Sequence, residues 1–152
     1  MFENIKLKIE LVPDSCWFSN VRSNVSKKDW DIIRKATYEK YNYCCGVCGK
    51  TGLTRPEAHE VFSYNIETKV QKLEKIISLD LKCHQCKHFG FWQMQGKETE
   101  LLNHLMEINK WTLEEAKKYV EFCFKEWYDR GLIDWTLDLS LLEDEFGIFI
   151  NK

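Results

Sequence analysis

Ser78–Gly90 reads SLDLKCHQCKHFG. Within Asp80 to His88 it holds two cysteines, two histidines and an aspartate, all residue types that bind metal ions. The fold turns on which of them fasten the chain around an ion and which do chemistry. Cys83-His-Gln-Cys86 has a counterpart upstream in Cys45-Gly-Val-Cys48, and 34 residues (49–82) separate the two pairs. Each pair can place two thiolates on one ion from a tight turn, and four sulfurs at about 2.3 Å complete a tetrahedral zinc site. Spacing therefore nominates Cys45, Cys48, Cys83 and Cys86 as ligands of a structural Zn2+. The plain alternative is that these are buried cysteines with no ion, since cysteine packs well in cores.

Outward from the two pairs, the intervening segment has room for a hairpin. AHEVFSY (58–64) has strand-forming composition and Asn65–Thr68 turns the chain. VQKLEKIISLDL (70–81) returns it, with Ile77, Leu79 and Leu81 alternating with Ser78 and Asp80. Before the first pair, IKLKIELV (5–12) alternates apolar and charged residues and predicts a half-buried strand stopped by Pro13-Asp14. Trp17 and Phe18 then read as the aromatic pins of a loop, or as an exposed platform for a partner or a base. Ser26 with Asp29 resembles a capping box ahead of a helix over roughly 27–41. After the second pair, Leu101, Leu102, Leu105 and Ile108 form one helical face. Thr112-Leu-Glu-Glu115 is a capping box that opens a second helix, with Gly131 as its stop. DWTLDLS (134–140) is a last strand. The expected fold is α+β: a single domain over 1–152, with a zinc-binding core at 43–90 and a helical extension at 97–130.

Composition agrees with that picture. The chain has 152 residues, 44% hydrophobic and 14% aromatic, enough to bury a core. No apolar run is long enough to span a membrane, and the start MFENIKLKIELV is too charged for a signal peptide. These features predict a soluble cytoplasmic protein. Seven cysteines (16, 44, 45, 48, 83, 86, 123) then suit a reducing compartment, where thiols bind metal more often than they form disulfides. Net charge is −2 overall, but residues 1–95 carry 15 Lys/Arg against 11 Asp/Glu and residues 96–152 carry 7 against 13. A polyanion should meet the first part.

Four pieces together, CGVCG (45–49), HEVF (59–62), VQKL (70–73) and ISLDLKCHQCKHFG (77–90) preceded by Ile76, resemble the HNH endonuclease family in its zinc-stapled bacterial and phage members. SNVRS (19–23) and NKWTLEEA (109–116) look like the flanks of those members. The resemblance covers roughly 43–90 and implies a ββα-metal site. It fits in two registers. In one, Cys83 and Cys86 form the second knuckle and Lys87 falls where the family places a histidine. In the other, Asp80 takes the first cysteine's place and Cys83 the second's, while His84 and His88 match the family's histidines. Spacing favours Cys86 as the fourth zinc ligand, and the family match favours His84 as the functional histidine.

What the resemblance implies is phosphodiester hydrolysis in DNA. His59 would be the general base, Glu60 would assist, and His84 and His88 would sit at a divalent cation such as Mg2+, distinct from the zinc. Two positions depart from the family: Ala58 stands where a metal-binding Asp or His precedes the base, and only Gln71 or Asn65 can stand in for the middle asparagine. His104, on the following helix, reads as a core histidine. Lys50, Arg55, Lys69, Lys72, Lys75, Lys82 and Lys87 are available to phosphates or simply solvated. A second function class is a non-catalytic, zinc-stapled module that binds a protein or nucleic acid, as a phage or mobile-element inhibitor would. A third, a zinc-ribbon transcription accessory, accounts for the cysteines but not for the HE hairpin.

Overall fold

The computed structural model describes residues 2, 4–16 and 20–150. Trp17, Phe18 and Ser19 lie outside the described residues, and with them the aromatic loop and the start of SNVRS. The architecture is α+β, with seven α-helices and a three-stranded mixed sheet among the described residues.

A 3-10 turn (Asp14–Cys16) and a short helix α1 (Val21–Asn24) lead into α2 (Lys27–Lys40). The Ser26 hydroxyl accepts the Asp29 N–H at 3.0 Å and so satisfies one of the amides left over at the start of α2. The hairpin forms where strand composition placed it. β1 (Glu57–Asn65) pairs antiparallel with β2 (Val70–Leu79), His59 opposite Ile77. Asn65 closes the turn through its Oδ1, which accepts the N–H groups of Glu67 and Thr68. β2 stops at Leu79 because Asp80 is recruited as a helix cap. The last strand, β3 (Thr136–Asp138), is only three residues long and runs parallel to the start of β2.

The register jumps from Val61 opposite Lys75 to Phe62 opposite Leu73, leaving Glu74 as an extra residue in β2. Such a bulge shifts the alternation by one residue. Leu73 and Ile76 consequently share one hydrophobic cluster, with Val21, Ile33, Leu142 and Ile148. Ile77 and Leu79 instead join Leu7, Phe89, Leu101, Leu105 and Tyr119 in the other. β2, with apolar residues in both clusters, is the middle strand and ties them together.

α3 (Leu81–Lys87), α4 (Phe89–Met94), α5 (Glu98–Asn109) and α6 (Leu113–Gly131) follow. α6 opens on a complete capping box, Thr112 Oγ1 accepting from Glu115 N and Glu115 Oε1 accepting from Thr112 N. α7 (Ser140–Phe146) closes the element order.

The strand expected over Ile5–Val12 does not form. Its alternation is real, since Leu7 and Ile9 are buried while Lys6 and Lys8 are exposed, but its backbone finds partners other than a neighbouring strand. The N–H groups of Lys6 and Leu7 donate to Asn109 Oδ1, Ile9 N–H donates to Tyr119 Oη, and Glu10 N–H donates to the Lys87 carbonyl. Two helix side chains and one helix carbonyl thus pin this segment across α3, α5 and α6. That placement carries Glu10 into the site described next.

Candidate functional site

The first knuckle is built by backbone. Gly49 N–H donates to Cys45 O, and Cys45 N–H donates to Lys50 O, closing a turn around the sulfur of Cys45. The amides of Val47 and Cys48 both face that sulfur at 3.5 Å. Gly46 N–H donates to Ser78 O at 2.7 Å, docking the knuckle on the end of β2. The approach needs glycine: a Cβ there would lie 2.8 Å from Tyr41 Cε1 and 3.3 Å from Ser78 O.

Across from the knuckle stands the start of α3. Asp80 is its N-cap, with Oδ1 accepting from Cys83 N–H at 2.9 Å. The other carboxylate oxygen accepts from the Cys48 thiol at 2.7 Å. One donor atom from each of Cys45, Cys48, Asp80 and Cys83 lies within 4.8 Å of the rest, a group that could hold a metal ion. Sulfurs sharing a tetrahedral zinc sit about 3.8 Å apart at ordinary bond lengths, so the group is already close to the size an ion requires.

A hydrogen bond from Cys83, helped by the surrounding amides, outweighs burial and holds the Cys45 thiol down at about 5. Burial and the bond to Asp80 push Cys48 up to about 11, and the bond to Cys45 together with burial raises Cys83 further. Burial alone would raise the Asp80 carboxyl, but the hydrogen bonds from Cys48 and the Cys83 amide lower it on balance. Cys45 is therefore the readiest thiolate, and a cation would have to displace the protons of Cys48 and Cys83.

Cys86, preferred on spacing as the fourth ligand, is not in this group. Because 81–87 is a helix and not a knuckle, Cys86 lies about 4.5 Å further along the axis than Cys83. It is fully buried, with its thiol directed at the Leu101 carbonyl at 3.7 Å, and burial pushes it up to about 12. Asp80 takes its place among the converging groups. A neighbour that spacing set aside comes close as well: His104 Nε2, on α5, lies 3.2 Å from Cys83 Sγ.

The histidines form a second group. His59 on β1, His84 on α3 and His88 at the end of α3 bring one ring nitrogen each within 4.8 Å of the others. Their ring centroids are 4.8 to 5.5 Å apart. His84 and His88 share a helix face by their four-residue spacing, and β1 crosses that face with His59 turned toward it. Burial lowers His84 and pushes His88 down to about 3, so both imidazoles are neutral at pH 7, the form that binds a cation.

Two carboxylates join them. Glu10 Oε2 lies 2.9 Å from His59 Nε2 and 2.8 Å from Lys87 Nζ, and Glu57 Oε2 is hydrogen-bonded to His84 Nδ1. Burial works against the charge on Glu10, yet the bonds to His59 and Lys87 hold its carboxyl down at about 2. Sequence reading missed both acids. Glu57 had a usable signal, since it stands two residues before His59 and so shares its strand face. Glu10 is 49 residues from His59, and no local pattern announces it.

Other expected participants are elsewhere. Glu60 points to the opposite face of β1, accepts the Val21 N–H at 2.9 Å and is raised by burial. Asn65 is engaged in the hairpin turn and Gln71 Nε2 faces Tyr64 Oη. Lys87 is 4% exposed and committed to Glu10, so it does not belong with the surface lysines, whereas Lys50, Arg55, Lys69, Lys72, Lys75 and Lys82 are exposed.

A cavity of about 1170 Å³ opens onto His59, His84 and His88, with Lys8, Arg22 and Arg130 and the acids Glu10, Glu60 and Glu126 in its walls. No helix is long and apolar enough to cross a membrane. No family model matches the chain, and no curated protein or solved structure is significantly similar to it.

Proposed function

We propose that this protein is an HNH-like endonuclease that hydrolyses DNA phosphodiester bonds, with zinc at the thiol group and a second divalent cation, Mg2+ or a softer ion, at the histidines. The observation that carries this reading is the convergence of His59, His84 and His88 from a hairpin and the helix after it, facing a cavity. The thiol group fastens the start of the same short helix to the Cys45–Cys48 knuckle.

In this reading His59 is the general base. Glu10 accepts the Nε2–H proton and fixes the tautomer, leaving Nδ1 to take a proton from water. The hydroxide attacks phosphorus, one P–O ester bond breaks, and the departing oxygen is protonated from solvent. His84 and His88, with Glu57 behind His84, would hold the cation, which when bound stabilises charge on the phosphate and the leaving oxygen. Arg22, Lys8 and Arg130 position the backbone without reading sequence.

The test is plasmid conversion. Purified protein with Mg2+, Mn2+ or Ni2+ is expected to nick supercoiled DNA, and His59→Ala to slow this about 10²- to 10⁴-fold. No cleavage with any of these ions, or equal cleavage by the variant, sinks the assignment. Two observations favour the rival, a non-catalytic binding module. Ala58 gives the cation no ligand beside the base, and Lys87 with Glu10 buries one edge of His59. On that reading the protein binds DNA or a protein partner without cutting.

A further inference from the structure

His104 was expected to be a core histidine, yet its side chain is only half buried and its Nε2 faces a sulfur. It lies on α5, whose Leu101, Leu102 and Leu105 are buried. Packing of that apolar face brings His104 to the thiol group.

We propose that His104 is the fourth protein ligand of the zinc, giving a Cys45, Cys48, Cys83 and His104 site in which Asp80 serves as helix cap and hydrogen-bond acceptor. Geometry and the capping duty of Asp80 support this. At ordinary zinc–sulfur and zinc–nitrogen bond lengths, a tetrahedral S···N edge is about 3.5 Å. The Cys83 Sγ to His104 Nε2 distance of 3.2 Å is within a few tenths of that.

Asp80 is occupied meanwhile as the cap of α3, with Oδ1 accepting the Cys83 amide. A carboxylate in that position orients ligands without being one. The consequence reaches beyond the site. The ion then joins the knuckle, α3 and α5, and the helical third becomes part of the staple.

The inference rests on the thiol group holding an ion and not on the nuclease reading, so a protein inert on DNA could still carry this site. The experiment is proton–cadmium correlation NMR on the ¹¹³Cd-substituted full chain. It is expected to show coupling from one cadmium to the β-protons of Cys45, Cys48 and Cys83 and to the ring protons of His104. Coupling to the three cysteines alone overturns the role of His104, and no coupling to the cysteines overturns the thiol site itself. A second readout is zinc affinity by chelator competition. Loss of a bound ligand in His104→Ala should cost more than about 100-fold, and Asp80→Asn the roughly 10- to 100-fold of a supporting partner. Wild-type affinity in His104→Ala overturns the assignment.

Discussion

Replacing Glu10 by glutamine tests the electrostatics of the histidine group without changing its shape. Glu10 is the only carboxylate within ion-pair reach of Lys87 among the described residues, and Lys87 is 4% exposed. Glutamine can still accept a hydrogen bond, but the ammonium is left buried without its counter-charge. The size of the effect follows from the carboxyl itself. Held at about 2 against an ordinary 4.5, it contributes roughly 3 kcal/mol at neutral pH, at about 1.4 kcal/mol per unit. Removing one member of a buried pair typically costs about 3–5 kcal/mol. The lower end applies here because the Glu10 side chain is 24% exposed. Against a usual total of about 5–15 kcal/mol, such a loss is easily measured.

The sign with pH is fixed. A depressed carboxyl contributes its full stabilisation above about 4.5 and loses it as pH falls toward about 2. Urea unfolding followed by tryptophan fluorescence, run on both proteins from pH 7 to pH 3, should show a gap of roughly 3 kcal/mol at pH 7 that narrows as pH falls. Acid effects common to both proteins cancel in the difference. A gap below about 0.5 kcal/mol, or one that stays constant with pH, would refute the argument.

Other outcomes follow from single contacts. Cys86→Ser should retain full zinc content by elemental analysis while losing about 1–3 kcal/mol, because a hydroxyl replaces a buried thiol; loss of metal would return Cys86 to the ligand set. Gly46→Ala forces the knuckle off Tyr41 and Ser78 and should cost about 1–3 kcal/mol in chemical denaturation together with weaker zinc retention. Thr112→Ala removes one half of the α6 capping box and should lower stability by about 1 kcal/mol in thermal unfolding, with metal content unchanged.

What could be read from the sequence was whatever depends on near neighbours. The Thr112 box, the α5 face and the hairpin each follow from residues within a few positions of one another, and all three are present. The Ile5–Val12 alternation correctly marked which side chains are buried, but alternation does not say whether the backbone partner is a strand. Here it is Asn109, Tyr119 and Lys87. The parallel pairing of β3 with β2 joins residues more than sixty positions apart and has no local signature.

At the site, CxxC spacing treated Cys83 and Cys86 as equivalent. Capping by Asp80 breaks that equivalence by starting a helix between the strand and the first thiol. The convergence of His59, His84 and His88 follows from the hairpin and the four-residue spacing. Glu10, Lys87 and His104 were out of reach because packing between distant segments, and not spacing, brings them in.

The claim most exposed to test is that His84 and His88 hold a cation beside the imidazole of His59. Anomalous diffraction from crystals of the zinc-loaded protein soaked in Mn2+ addresses it directly. The account predicts a manganese peak within bonding distance of His84 and His88 and beside His59, separate from the zinc peak at the thiols. Manganese absent from that point, or bound only elsewhere on the surface, would contradict it.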